Sequence, residues 1–453
     1  LENGKHVMKQ QNIRTLMGTS AFPLIALILI MAVFTALSYP GLMSPDSQTI
    51  YSAAINHRYS DHHPPLMAYM WHYLDLIHQG PGLMYLINLA MLSATMVIGL
   101  KLFKNTSYKY WFVIFPLIPQ IAVYTVWIWK DIIFTFGYGL LALTLARYHI
   151  NHKRLGYVGI ILFFIGLFYF TSVKYQAQFI LPVMLLGFFT VQCKAIPFWQ
   201  KALKTLIATG LMISSIHFVN SWLVNEKGSG SNHAWQYVKI YDLAGMSIHT
   251  NQVLVPEFLL KSSRVTVNDI EKKYDLAWEP LVVYKDSPLR ATDSDEERKT
   301  LLSTWRQAVL DHPVAYLKHR GYIWVRGLLL SAPGKSFVVE NFSHISWVAW
   351  AVKYIHPLAT LSAYIFLVPF IIFCFILGFR NLHHAQNRPI AQILLWLNTM
   401  GIMLVFLLLF FSLAAVPRYI YFSVYMFMLS VPFAALLFQK KDKAMTVLQG
   451  NSH

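Results

Sequence analysis

Charge is what this sequence has least of. Asp, Glu, Lys and Arg make up 13% of its 453 residues and hydrophobic side chains 56%, whereas soluble domains carry about 25% charged residues. That excludes an ordinary soluble domain and leaves an integral membrane protein. Acid is scarcer than base, with 20 Asp and Glu against 37 Lys and Arg and a net charge of +17. Such a balance suits nucleic acid, but the basic residues fall in short clusters between apolar runs. That pattern sets membrane orientation, so no nucleic-acid partner is expected. Cysteine is nearly absent: Cys193 and Cys374 lie in or beside apolar runs with no CxxC spacing, which excludes a disulfide framework and a thiolate metal site. A glycine-rich phosphate loop is also missing, so no soluble nucleotide-sugar site is evident. Neither an internal repeat nor a low-complexity tract is found. The first apolar run has no small-residue cleavage site and is read as a retained helix.

What the sequence does have is apolar runs. Crossing the hydrocarbon core takes about 20 apolar residues, and ten runs meet that rule: 21–39, 82–102, 110–129, 132–149, 155–173, 176–193, 203–222, 357–379, 390–412 and 418–438. With ten crossings the basic clusters all fall on one side: Lys5, Lys9 and Arg14; Lys101, Lys104 and Lys109; Arg147, Lys153 and Arg154; Lys194, Lys201 and Lys204; Arg380 and Arg388; Lys440, Lys441 and Lys443. By the positive-inside rule that side is the cytoplasm, with both termini in it. The expected fold is an all-α polytopic protein of the plasma or inner membrane. Residues 1–222 would form a seven-span module, 223–345 an exterior lobe opening with a Gly/Ser turn at Lys227 to Ser231, and 346–453 a three-span module. Within the lobe, the stretch 300–330 reads as two amphipathic helices split at Asp311, His312 and Pro313.

The first outer loop, residues 40–80, is too long for a simple connection. Ser44 or Ser47 suits the start of one short helix, and Pro64 and Pro65 the first turn of a second whose apolar stripe runs from Leu66 to Ile77. Between and around them stand Asp46, Tyr51, Arg58, Asp61, His62 and His63. On the same side of the ten-span layout fall Lys130 and Asp131, Lys174 and Gln178, and Arg418 and Tyr419. Ionisable groups near a membrane are functional candidates by default. Plainer roles stand beside each: Asp46 as a helix cap, Lys130 as a snorkelling or locally paired base, and Lys174 and Arg418 as interface anchors. Asp61, His62 and His63 include the residue types that hold a divalent ion, but consecutive histidines at a helix start point in different directions, so a closed site would need further ligands.

An acidic residue early in the first outer loop, an aromatic helix, and then a histidine followed by Pro-Pro-Leu resemble the GT-C superfamily of polyprenyl-phosphate-dependent glycosyltransferases. That superfamily includes the protein O-mannosyltransferases and lipid A aminoarabinose transferases. The pieces are Asp46, Tyr51, and His63 with Pro64, Pro65 and Leu66; Asp131 stands where a second acidic residue opens the fourth span. The stretch WRQAVLDHPVAYLKHR and the segment Pro417 to Phe422 are similar to a juxtamembrane helix and a late span entry. Ser47 departs from the pattern, since many relatives have a second acidic residue there. The resemblance implies inverting transfer of a sugar from a polyprenyl-phosphate donor to a glycan, lipid or protein acceptor on the outer face, with no cofactor required. Asp46 is then the expected general base, and Lys130, Lys174, Arg418 and His63 the expected phosphate ligands. Asp131 would orient one of those cations or contact the acceptor. Two other classes stay open. A transporter or flippase for a lipid-linked or anionic solute would line its path with the same cations. A membrane O-acyltransferase would use the histidines, but it needs them on the cytosolic side.

Overall fold

The computed structural model describes residues 21–226, 233–275, 277–330, 368–439 and 448. The turn at Lys227 to Ser231, the start of the run at 357–379, and the clusters at Lys5 to Arg14 and Lys440 to Lys443 lie outside those residues. The described residues are helical, and the only sheet-like pairings among them are three isolated bridges. They divide into two units: residues up to 226, with 368–402 and from 421 on, form the first; residues 233–330 and 403–420 form the second. The described helices up to residue 226 thus fall in one unit with those at Val368–Asn381 and Tyr421–Gln439, while the helix Arg388–Phe411 is divided between the two.

The first unit comprises α1 (Ala21–Ser38), α2 (Pro45–Asn56), α3 (Pro65–Ile77), α4 (Gly82–Leu102), α5 (Lys109–Ile114), α6 (Pro119–Thr125), α7 (Lys130–Ile150), α8 (Tyr157–Ser172), α9 (Ala177–Gln192) and α10 (Phe198–Glu226). Among the described residues five helices are long and apolar enough to cross a membrane: α1, α4, α10, and two later ones at Arg388–Phe411 and Arg418–Gln439. Apolar helices at Tyr157–Ser172, Ala177–Gln192 and Val368–Asn381 are shorter.

The run at 110–129 does not form one helix, and its prolines say why. Pro116 sits in a 3-10 turn, Phe115–Leu117, and Ile118, which precedes Pro119, takes an extended ψ of 125°. A residue before proline is pushed out of the helical region in this way. The chain then leaves α6 at Val126 and runs extended to Trp129 before α7 begins.

α7 is the central helix, with 16 of its 21 residues buried. It packs along α4, α8 and α9. A helix enclosed by other helices needs less hydropathy than one facing lipid, which is why α7 can carry Thr135, Tyr138 and Thr144. The Tyr138 hydroxyl meets Thr171 Oγ1 at 2.8 Å, and Phe134 stacks on Phe422 at 4.4 Å. At about 1.5 Å per residue α7 is about 30 Å long, one hydrocarbon thickness.

The second unit contains α11 (Trp235–Thr250), α12 (Val267–Lys273), α13 (Glu279–Val282), α14 (Asp295–Asp311) and α15 (Pro313–Val325) around a core that includes Ile240, Leu243, Leu281, Leu301 and Ile323. The predicted break holds: α14 ends at Asp311 and α15 starts at Pro313. α12 starts with a capping box between Thr266 and Asp269, and α14 with Ser294 accepting from the Glu297 amide. The remaining helices are α16 (Val368–Asn381), α17 (Arg388–Phe411) and α18 (Tyr421–Gln439), with a 3-10 turn at Pro417–Ile420.

Candidate active site

Two helix starts are tied together in the first unit, and local sequence explains how. Gly41 has φ of 96°, and a Cβ there would lie 2.8 Å from the Ile128 Cδ1 atom. Only glycine suits both the left-handed backbone and that approach. The next residue, Leu42, pairs with the extended stretch before α7: its amide donates to the Val126 carbonyl at 2.8 Å and its carbonyl accepts from Ile128 at 3.0 Å. Ser44 then caps α2 in a capping box with Ser47. The Ser47 hydroxyl also donates to the Ile128 carbonyl at 2.7 Å, and Trp129 Nε1 donates to Ser44 Oγ at 2.7 Å. As a result Asp46, in the first turn of α2, and Lys130 and Asp131, which open α7, start from one tethered point. Ser47 therefore ties α2 to α7 by hydrogen bonds where a second carboxylate was the alternative, and the cap of α2 is Ser44, not Asp46. Asp46 is half-buried.

The polar groups around this point interlock. Lys174, in the turn between α8 and α9, forms an ion pair with Asp131, and both side chains are at most 5% exposed. Lys130 Nζ lies 2.8 Å from His63 Nδ1. An ammonium can only donate, so His63 accepts through Nδ1 and, when neutral, carries its proton on Nε2. The His62 and His63 rings stand 4.6 Å apart. Burial and then Lys130 push the His62 pKa below its ordinary value, while Asp46 and Asp61 oppose them. The Tyr175 hydroxyl donates to the Asp61 carbonyl at 2.8 Å, fastening the α8–α9 turn to the segment that leads into α3. Asp46, Asp61, His62, His63, Lys130, Asp131 and Lys174 are thus drawn from four chain segments into one interlinked cluster.

The remaining candidates come from other stretches of the chain. Tyr51 donates to Asp75 at 2.7 Å and accepts from the Gly80 amide at 3.0 Å, holding α2 against the end of α3. Arg58 is exposed beyond the end of α2, and Gln178 is half-buried in the first turn of α9. Arg418 and Tyr419 belong to the second unit, in the 3-10 turn, with the guanidinium 5.5 Å from the Tyr419 ring centroid. Among the described residues no three His, Cys, Asp or Glu side chains gather as a metal site.

An apolar groove of about 680 Å³ opens between α3, α8 and α10, lined by residues that include Leu66, Tyr69, Phe164, Phe168, Leu211 and Met212. Leu66 follows the Pro-Pro pair after His63, and Phe168 lies on the last turns of α8 before Lys174. Two of the groove's helices thus adjoin cluster residues along the chain, with His63 just ahead of α3 and Lys174 just after α8.

The second unit has a buried ionic network that sequence reasoning missed. Asp242 meets Arg320 at 2.6 Å and His319 at 3.2 Å, with all three side chains at most 1% exposed. Trp305 donates to the same carboxylate at 2.8 Å, and Arg320 donates to the Ser412 carbonyl at 2.7 Å. Burial pushes the Asp242 carboxyl up, but Arg320 and His319 outweigh it and hold the pKa low. A Cβ on Gly245 would sit 1.8 Å from His319 Nδ1, so glycine makes room for that ring. The available signal was Asp242 itself, a carboxylate within the apolar stretch of α11. Asp293 and Asp295, spaced as Asp-x-Asp, are paired with Arg290 and Arg298. No family model, curated protein or solved structure matches the chain.

Proposed function

We propose that the chain is a membrane-embedded glycosyltransferase that uses a lipid-phosphate-linked sugar at the α2–α7 cluster. The observation that carries this reading is the placing of a half-buried carboxylate, Asp46, at the same tethered point as the Lys130 and His63 pair, with an apolar groove lined by α3, the helix that follows His63. A carboxylate, a cationic partner for phosphate and an apolar trough together match a donor that is part lipid, part phosphate and part sugar.

In this reading the prenyl chain lies in the groove and the donor phosphate is held by Lys130, with His63 aligning its ammonium. Asp46 accepts the proton of the acceptor hydroxyl or amine as that atom attacks the anomeric carbon. The bond from the anomeric carbon to the phosphate oxygen breaks, its electron pair stays on the phosphate, and the sugar inverts. Charge grows on the phosphate in the transition state, so a fixed cation there lowers the barrier differentially. Lys174 is already matched by Asp131 and serves to set the start of α7. Arg418, in the second unit, has no part in the assignment. The ten-pass topology belongs to the same proposal, with 40–80 and 223–345 outside and the termini in the cytoplasm.

The test is sugar transfer by the purified protein in vesicles from a panel of polyprenyl-phosphate sugars. Formation of a glycosidic bond with inverted configuration is the expected result. Movement of an intact lipid-linked sugar across the bilayer, with no new glycosidic bond from any donor, overturns the reading in favour of a transporter.

A further inference from the structure

At the other end of the first unit the charged side chains among the described residues are all cations. Its described carboxylates are Asp46, Asp61, Asp75, Asp131 and Glu226, and all lie in the outer loop, at the start of α7 or at the end of α10. No Asp or Glu occurs between Asp131 and Glu226. Yet the far end of α7, about 30 Å away by helix length, is where Arg147, Lys153, Arg154, Lys194 and Lys201 collect. None of the ion pairs among the described residues involves this end.

The cations are held there by neutral hydrogen bonds. Gln192, at the end of α9, clamps the turn between α7 and α8: its Oε1 accepts from the Leu155 amide at 2.8 Å and its Nε2 donates to the Leu155 carbonyl at 3.1 Å. Arg154 directly precedes one side of this clamp, and Lys194 lies two residues past the other. His149 Nε2, close to Gln392 Oε1 at 2.8 Å, ties the same end of α7 to α17, and His152, Lys194 and Lys201 all act electrostatically on that ring. A two-point clamp that brings like charges together raises their mutual repulsion, which an anion joining them would relieve. Partial burial and Arg154 both push the Lys194 pKa down, as expected of cations crowded where no acid stands among the described residues.

The surroundings say what kind of anion fits. Tyr157, at the start of α8, is 89% exposed and Trp199, at the start of α10, is 63% exposed. Aromatics at such helix ends mark the level of the lipid headgroups. Just beyond them Val158, Ile161 and Leu162 on α8 and Leu203 and Leu206 on α10 present exposed apolar faces. We propose that the turn at 151–156, with Lys194 and Lys201, binds the phosphate headgroup of an anionic phospholipid whose acyl chains lie along α8 and α10. This site is distinct from the polar cluster at the opposite end of α7 and does not depend on the reaction assigned there.

The experiment is a lipid titration of the detergent-solubilised full chain by native mass spectrometry, with phosphatidylglycerol and phosphatidylcholine as probes. The wild type is expected to prefer phosphatidylglycerol by on the order of tenfold or more. The triple variant Arg154→Gln, Lys194→Gln, Lys201→Gln is expected to bind the two lipids about equally. The charge-preserving pair Lys194→Arg, Lys201→Arg is expected to keep the preference, which separates lost charge from lost fold. If the triple variant does not fold, the wild type in rising salt decides the matter: the preference must fall as the headgroup charge is screened, and a preference that salt leaves unchanged overturns the site. Equal binding of both lipids by the wild type, or an unchanged preference in a folded triple variant, overturns it too.

Discussion

Lys174 and Asp131 form a buried ion pair across 43 positions of sequence, joining the turn after α8 to the first residues of α7. Burying two charges is expensive, and their attraction offsets that cost only while both are present. The pair therefore fixes where α7 begins, and with it the position of Lys130.

Removing one partner should be worse than removing both. Asp131→Asn or Lys174→Gln leaves a buried charge without its counterpart and is expected to cost about 3–5 kcal/mol. The double variant is expected to recover a good part of that loss. Thermal melts of the four proteins in one detergent give the coupling directly. Strictly additive losses would show that the two charges do not depend on one another.

Much of the segment 40–80 is legible in the sequence. Serines and prolines act locally, so the start of α2 at Ser44 and of α3 after Pro64 can be placed from a few residues. The helical content and the break at Pro313 are legible for the same reason. The run at 110–129 is not: its apolar composition suits one span, while Pro116 and Pro119 cut it and Leu42 draws the remainder into a backbone pairing. Asp131 and Lys174 both stand out in the sequence, Asp131 as a group that orients one of several cations or contacts the acceptor, without Lys174 being singled out as its partner. Their pairing depends on the relative placing of two helix ends, which hydropathy does not carry. Asp242 and Arg320 escape notice because Arg320 ends a run of basic residues that resembles a solvated face, and only packing shows that it points inward.

The pH dependence follows from His62. Its folded pKa is pushed below the ordinary 6.5 by burial and Lys130. The unfolded chain therefore binds more protons than the folded one in the window below about pH 6.5, and stability rises with pH there. The stabilising contribution is full above pH 6.5 and declines as pH falls towards the lower folded value. Melting temperatures measured from neutral to mildly acidic pH are expected to fall less steeply for His62→Gln than for the wild type. Parallel curves would mean that some other group sets the acid slope.

The roles of Asp46 and Ser44, two residues apart, should separate cleanly. Ser44 caps α2 and accepts from Trp129, so Ser44→Ala is expected to destabilise by about 1 kcal/mol and loosen the tether between α2 and α7. Asp46 is not the cap, so Asp46→Asn should leave the melting temperature and membrane level near those of the wild type. If Asp46 is the general base of the proposed reaction, Asp46→Asn is expected to lower sugar transfer by on the order of a hundredfold or more, because the amide accepts no proton from the acceptor. Donor binding, read by retention of the polyprenyl-phosphate sugar, should persist, since the groove and the Lys130 and His63 pair are untouched. An Asp46→Asn protein that transfers sugar at the full rate would move the base to another member of the cluster. One that melts early and loses donor would return Asp46 to a structural part.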